Sequence, residues 1–278
     1  MDYNFELLKE VLSVPTTTYK EDLMIKFLEN WLTEKNILHY KDEYGNVYAT
    51  KKTCEVSDDF FYPCVISHTD TVHGLNRINV HEEKLLNAQG ELKLALKAYN
   101  DKGGPTGIGG DDKCGVYACL TLLEQVPFLK AAFFVSEETG CHGSRKADKD
   151  FFNDVGYAIQ FDAPENWMVT EKCFGHVLFD RDSNFFKSCD KVLKEGMNQS
   201  DMQYMVHPYT DVYALRSQFD FSCINFSIGY YDYHSENEYV VVEDVYNGIN
   251  MGKKMIEKLG YIRHFKKSST EAERYVLY

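Results

Sequence analysis

Two adjacent aspartates raise the first chemical question in the sequence. Residues 109–115 read GGDDKCG, so Asp111 and Asp112 repel each other unless positive charge lies opposite them. The start of a helix supplies part of that charge through its dipole and its free N–H groups. A bound cation would supply more. This segment alone leaves both interpretations open.

Further side chains of types that can bind a metal follow apolar segments of the chain. YPCVISHTD brings His68 and Asp70, KAAFFVSEE brings Glu137 and Glu138, GYAIQFD brings Asp162, and CINFSIGYYDYH brings His234. Each residue taken singly has an ordinary structural explanation, but together they are a mixed imidazole and carboxylate set. Such a set suits zinc, or cobalt and manganese at similar sites. A carboxylate shared by two ions holds them roughly 3.5–4 Å apart, and one of the adjacent aspartates could bridge in this way.

The spacing within two of these segments predicts a division of roles. His68 and Asp70 lie two residues apart and share a side of extended backbone, so Asp70 can accept the second ring N–H of His68. Glu137 and Glu138 are adjacent and their side chains diverge. One glutamate can therefore bind a metal while the other faces the attacking water, as metal-assisted hydrolysis requires.

The elements that must position these side chains alternate between strand and helix. Apolar segments at 62–68, 130–136, 156–162 and 223–229 predict strands, and DDKCGVYACLTLLEQV predicts a buried helix. Because the strands are continuously apolar, we expect an α/β sheet covered on both faces, with its ligand crevice at the strands' carboxyl ends.

Other elements are predicted from local signals. Two helices open the chain, the second marked by a capping box of Thr18 and Glu21. Residues 78–100 predict a hairpin or excursion, and GSRKADKDFF predicts a helix. Later helices are predicted to end at Gly196 and Gly260.

Composition excludes several classes of protein. The chain has 278 residues and a formal net charge of −13 without a basic run, so nucleic acid is not an expected partner. No apolar stretch is long enough to span a membrane, and the N-terminus does not resemble a signal peptide. The eight cysteines form no CxxC pair, which favours reduced thiols in the cytoplasm. We expect residues 1–278 to form one domain; the sequence predicts no oligomeric state.

The ordered motifs SHTDTVHG, GGDDKCG, VSEETGCHGS, IQFDAP and YHSENEYV resemble those of the co-catalytic zinc exopeptidases, the group that includes peptidase T, glutamate carboxypeptidases and single-domain aminopeptidases. The resemblance implies a single-domain, three-layer α/β/α fold with a mostly parallel central sheet. It also implies two divalent ions, most simply zinc, bridged by Asp111. In the resemblance, His68 and Asp162 complete one metal site, and Glu138 and His234 complete the other. Glu137 is the general base, and Asp70 orients His68. Asp112 does not contact a metal, and the Asp111–Asp112 peptide bond is cis.

The sequence departs from peptidase T in one respect. Peptidase T and its close relatives insert a lid or dimerisation domain between the ligands that match Asp162 and His234, and the interval here is too short for one. The lid's arginine for the substrate carboxylate and its oxyanion histidine are therefore expected to be absent. An oxyanion donor must then come from residues 163–233, where the candidates are His207, Tyr209 and Tyr233.

The predicted function is an exopeptidase acting on short peptides from the amino end. A free α-amino group can reach a metal or carboxylate without a lid, whereas a substrate carboxylate needs a cation, for which Arg145 and Arg216 are the candidates. A carboxypeptidase or a deacylase of N-acyl amino acids is an alternative within the enzyme class. The non-enzyme alternative is a binding module that retains metal, although the complete ligand set with Glu137 argues against it.

Overall fold

The computed structural model describes residues 3–57, 59–75, 77–86, 90–173, 176–197, 201–207 and 210–265. The helices in these ranges are α1 (Phe5–Ser13), α2 (Asp22–Glu34), α3 (Gly110–Gln125), α4 (Lys149–Phe152), α5 (Asn184–Gly196), α6 (Asp211–Gln218) and α7 (Val242–Leu259), with a 3₁₀ helix at Ser144–Lys146. The strands are β1 (Leu38–Lys41), β2 (Val47–Lys51), β3 (Tyr62–His68), β4 (Asn79–Leu86), β5 (Leu92–Tyr99), β6 (Pro105–Thr106), β7 (Leu129–Phe134), β8 (Val155–Ala163), β9 (Met168–Cys173), β10 (His176–Val177), β11 (Gln203–His207), β12 (Ser222–Ser227), β13 (Tyr230–Tyr231) and β14 (Tyr239–Val241).

The main sheet has the strand order β1-β2-β7-β3-β8-β12-β9-β10, with β11 also paired to β9. Its four central strands, β7, β3, β8 and β12, are parallel, and antiparallel pairs lie on both sides of them. Every residue of these central strands is buried, because helices cover both faces of the sheet. The expected three-layer α/β/α fold with its parallel centre is confirmed.

A second, smaller sheet has the order β13-β14-β5-β4, with β6 paired to β5. Strands β4 and β5 form the antiparallel hairpin predicted within residues 78–100. Strand β14 pairs with β5 and leads directly into α7. The segment between β13 and β14 therefore lies beside the start of α3, which contacts both strands.

The predicted capping box is wrong. Helix α2 begins at Asp22, and the side chain of Glu21 makes no capping hydrogen bond. Glu21 instead accepts hydrogen bonds from the backbone N–H and hydroxyl of Ser136, and the Thr18 hydroxyl donates to Asp70 at 2.9 Å. Both polar side chains form hydrogen bonds with buried residues far away in the chain and not with the nearby end of the helix.

The single helix predicted over GSRKADKDFF is also wrong. The segment forms the 3₁₀ turn and then α4, separated by extended backbone at Ala147 and Asp148. The Asp148 side chain accepts from the backbone N–H of Asp150 and caps α4, so this aspartate starts a new helix instead of continuing the first. Among the described helices, none combines the length and apolar content that crossing a membrane requires.

Candidate metal centre

The candidate ligands meet at one edge of the main sheet. His68 is the last residue of β3, Asp162 lies near the end of β8, and the two glutamates follow β7. Since these strands are parallel, their carboxyl ends meet at the same edge. Asp111 lies at the start of α3, and His234 lies between β13 and β14.

Asp111 lies between the two histidines. Its Oδ1 is 3.1 Å from Nε2 of His68, and its Oδ2 is 3.3 Å from Nε2 of His234. Nε2 of His68 is 3.7 Å from Oδ1 of Asp162, and Nε2 of His234 is 3.1 Å from Oε2 of Glu138. Two groups of three donors therefore share Asp111, and within each group the donor atoms lie within 4.8 Å of one another.

Asp70 holds the loop after β7 as well as His68. Its two oxygens accept the backbone N–H groups of Glu137 at 2.9 Å and Glu138 at 3.3 Å. One of these oxygens is 3.4 Å from Nδ1 of His68. The hydroxyl of Thr18 donates to the other oxygen. Asp70 thus fixes the backbone of both glutamates. Nδ1 of His68 forms its hydrogen bond, at 3.1 Å, with the backbone carbonyl of Asp70, and the carboxylate that the sequence predicts as the partner lies slightly farther away.

Glu137 and Glu138 present their carboxylates to different partners. Oε2 of Glu137 is 4.0 Å from Nε2 of His68, whereas its Oε1 accepts a hydrogen bond from the Cys141 thiol at 3.2 Å. Glu138 contacts His234 through Oε2. The divergence expected of adjacent side chains is therefore present in the structure.

The electrostatics of the site follow from burial of many carboxyl groups around two imidazoles. Burial raises the pKa of Glu137 to about 8. Burial also raises the pKa values of Glu138 and Asp162, and the charge on Asp111 raises both further. At Asp111, hydrogen bonds from His234 and His68 outweigh the effect of burial and hold its pKa below the usual range. Hydrogen bonds to Asp111 and Glu138 raise the pKa of His234 to about 10.

These residues fit divalent metal ions. The carboxyl groups outnumber the imidazoles that could neutralise them; they are those of Asp70, Asp111, Asp112, Glu137, Glu138 and Asp162. Oε1 of Glu138 is buried and has no hydrogen-bond partner among the described residues. An orphaned buried carboxylate oxygen is costly unless a cation or a donor satisfies it. Imidazole nitrogen with carboxylate oxygen is a donor set that zinc, cobalt and manganese accept.

Asp112 faces away from the two donor groups. Its oxygens accept the backbone N–H groups of Gly115 at 3.0 Å and His68 at 3.2 Å. The Asp111–Asp112 peptide bond is cis, as the resemblance implies. The two adjacent aspartates thus separate: Asp111 points toward the two imidazoles, and Asp112 accepts backbone N–H groups from its own helix and from the end of β3.

The remaining candidates are located only in part. Tyr233 is exposed, and its ring centroid lies 4.9 Å from that of His234. His207 is the last residue of β11, but its side chain and the whole of Tyr209 lie outside the described residues. The guanidinium groups of Arg145 and Arg216 donate to the backbone carbonyls of Gly140 and Leu178.

Several residues at the site were not predicted from the sequence. The Tyr230 hydroxyl lies 3.4 Å from Oδ1 of Asp162, and the Gln160 amide donates to Oδ2 of the same carboxylate at 3.1 Å. Glu238 accepts the backbone N–H of Asp111 at 3.1 Å. The period of two along a strand could have identified Gln160, because it precedes Asp162 by two residues on β8.

Comparisons with known proteins identify the fold. Neither a protein-family model nor a curated protein sequence matches the chain. A tripeptidase structure from Staphylococcus aureus matches 91% of this chain and 96% of its own, with a TM-score of 0.67 and 12% identity. Aminopeptidase PepT from Bacillus cereus covers 91% and 97%, with a TM-score of 0.66 and 13% identity. An aminopeptidase from the archaeon Desulfurococcus kamchatkensis covers 91% and 94%, with a TM-score of 0.65 and 14% identity. The chain therefore has the zinc-exopeptidase-like fold of these tripeptidase and aminopeptidase structures.

Proposed function

We propose that the protein is a dinuclear metal-dependent exopeptidase that hydrolyses short peptides from the amino end. One observation carries the proposal: the Asp111 carboxylate lies between His68 and His234, with one oxygen directed to each. A carboxylate placed in this way is suited to bridging two ions. The fold shared with a tripeptidase and two aminopeptidases supports the same activity.

The residues of the chain have distinct roles in this proposal. Asp111, His68 and Asp162 would hold one ion, and Asp111, Glu138 and His234 would hold the other. Such ions, zinc in the first instance and cobalt or manganese otherwise, would supply Lewis acidity toward the water and the peptide carbonyl. Glu137 takes the proton from the attacking water at its carboxylate and delivers it to the departing amine. Asp70 fixes the ring of His68 and the backbone of Glu137, so that base and ligand keep their separation.

Amino-end preference follows from the charge of the site. The carboxylates around the two histidines attract the positive charge of a free α-amino group. We further propose that residues 1–278 act as one catalytic domain without a separate lid, and that the protein is cytoplasmic. Free thiols, seven of them buried, support a reducing compartment.

The test is hydrolysis of a panel of free and N-blocked dipeptides by the full chain with added zinc, cobalt or manganese, alongside metal analysis. We expect about two ions per chain and metal-dependent cleavage of free dipeptides. Release of the acyl group from N-blocked dipeptides would identify a deacylase, and cleavage of their peptide bond with release of the C-terminal amino acid would identify a carboxypeptidase. Two bound ions without turnover on any member would identify a metal-retaining binding module. One ion or none after zinc reconstitution would overturn the dinuclear site.

A further inference from the structure

Glu238 is a buried carboxylate that the proposed reaction does not use. It follows His234 by four residues and immediately precedes β14. Only 1% of its surface is exposed, and among the described residues its one ion-pair contact within 4 Å is with His73, while the charge of buried Lys113 acts on it without such a contact. Its contacts are with two backbone N–H groups and one imidazole.

The two backbone contacts lie on the segment that carries Asp111. Oε2 of Glu238 accepts the N–H of Gly109 at 2.8 Å, and Oε1 accepts the N–H of Asp111 at 3.1 Å. Gly110, which lies between these two residues, packs too closely against its neighbours to carry a side chain. A Cβ atom there would be 2.6 Å from Cβ of Tyr230 and 3.3 Å from Oε1 of Glu238. Glu238 therefore sets the position of the Asp111 backbone directly.

The third contact reaches the loop after β3. Nε2 of His73 lies 2.7 Å from Oε2 of Glu238, and His73 belongs to the segment that begins with His68 and Asp70. One carboxylate thus connects three segments: the loop after β3, the start of α3, and its own loop, which carries His234. These segments supply the shared aspartate and one histidine of each donor group.

We propose that Glu238 is a positioning residue that sets Asp111 between His68 and His234, so that occupancy of both metal sites depends on it. The inference rests on the dinuclear centre proposed above. A residue that only stabilised the fold would lower the melting temperature and leave the metal affinities unchanged. A positioning residue lowers both affinities together, because the two sites share Asp111.

The experiment is a calorimetric titration of zinc ions into the chelator-treated full chain, which measures the zinc affinities of the wild type and of Glu238→Gln. Glutamine keeps the shape but replaces one of the two carboxylate oxygens with an NH₂ group, so either the Gly109 or the Asp111 N–H would face a donor where it now has an acceptor. Loss of a partner behind a metal ligand typically lowers affinity about 10- to 100-fold. We expect a loss of this size at both sites in Glu238→Gln. The matched control is Glu236→Gln, which alters an exposed glutamate on the same loop and should bind as the wild type does.

A second variant keeps the proposal testable if Glu238→Gln does not fold. His73→Phe retains a ring and removes the contact with Oε2, so it should weaken both sites by a smaller factor. Wild-type affinities at both sites in a folded Glu238→Gln chain would overturn the inference and leave the dinuclear centre intact. Weakening confined to one site would also overturn it. Failure of the wild type to bind two zinc ions would overturn the proposed centre itself, and the inference with it.

Discussion

The two adjacent glutamates after β7 have different surroundings. The Glu137 carboxylate is held at one oxygen by the Cys141 thiol and leaves the other near His68. The Glu138 carboxylate pairs with His234 and keeps one oxygen without a partner among the described residues. The proposed function assigns the role of base to Glu137 and the role of metal ligand to Glu138 on the basis of these contacts.

Substitution of these glutamates should therefore have different results. Glu137→Gln removes the base and keeps its shape, so turnover should fall by roughly 10²–10⁴ while bound metal and fold are retained. Glu138→Ala should lose metal together with activity. Turnover number and metal content, measured on both variants, check the assignment. A Glu137→Gln protein with near-native activity, or one inactive only because it lost metal, would contradict it.

The oxyanion donor is a second prediction at the scale of single residues. Of the three candidates, the ring of Tyr233 is next to that of His234. Removing one oxyanion donor commonly lowers turnover about 10²- to 10³-fold. We expect that loss in one of Tyr233→Phe, Tyr209→Phe or His207→Ala. If all three retain turnover within a few-fold of the wild type, the chain supplies no such donor from these positions.

At the scale of elements, Gln160 connects β8 with the start of α6. Its side-chain oxygen accepts the Thr210 hydroxyl at 2.6 Å and the backbone N–H of Val212 at 3.0 Å. Its amide donates to Asp162. A single buried side chain thus places the helix relative to a candidate metal ligand.

Replacing this connection should destabilise the protein. Gln160→Leu would leave the Thr210 hydroxyl and the Val212 N–H buried without their acceptor, and a single unsatisfied group costs about 1–3 kcal/mol. We expect the free energy of unfolding to fall by at least that amount in urea denaturation. Gln203→Leu is the control, because Gln203 is exposed on β11 and should stay within about 0.5 kcal/mol of the wild type. Equal stability of the two variants would contradict the role given to Gln160.

The elements also explain which predictions from the sequence succeeded. Strands β3, β7, β8 and β12 are buried on both faces, so an uninterrupted apolar run identifies them. The candidate ligand positions were predicted from the ends of those runs, and the structure brings them together in two donor groups. Residues such as Thr18, Glu21 and Glu238 act through partners far away in the chain, and local spacing carries no information about such contacts. The capping box was predicted wrongly for the same reason.

At the scale of the whole molecule, buried ionisable groups control how stability depends on pH. Burial raises the pKa of Glu137 to about 8 and that of Asp211 to about 7. In the unfolded chain both groups have ordinary values near 4, so they lose their protons there first. Between about pH 5 and pH 7 the folded metal-free chain holds more protons than the unfolded chain. Its free energy of unfolding must then fall as pH rises through that range.

This dependence can be measured by thermal unfolding with a chelator present. The melting temperature of the metal-free chain should fall from about pH 5 to about pH 7, and the slope should be smaller in Glu137→Gln. Above that range the pKa of His234, raised to about 10, continues the trend, and the pKa of Lys113, which burial lowers to about 7, opposes it. Added zinc should reverse the slope, because binding releases protons from the ligands. A metal-free melting temperature that rises from about pH 5 to about pH 7 would contradict the prediction.

The strand order of the main sheet has a consequence for biosynthesis. Strands β2 and β3 follow each other in the chain, but β7 lies between them in the sheet. The centre of the sheet therefore cannot close until Leu129–Phe134 has left the ribosome. Until then β2 and β3 lack their shared neighbour, and their unpaired N–H and C=O groups lie beside apolar side chains. Aggregation can compete with folding during that interval of synthesis.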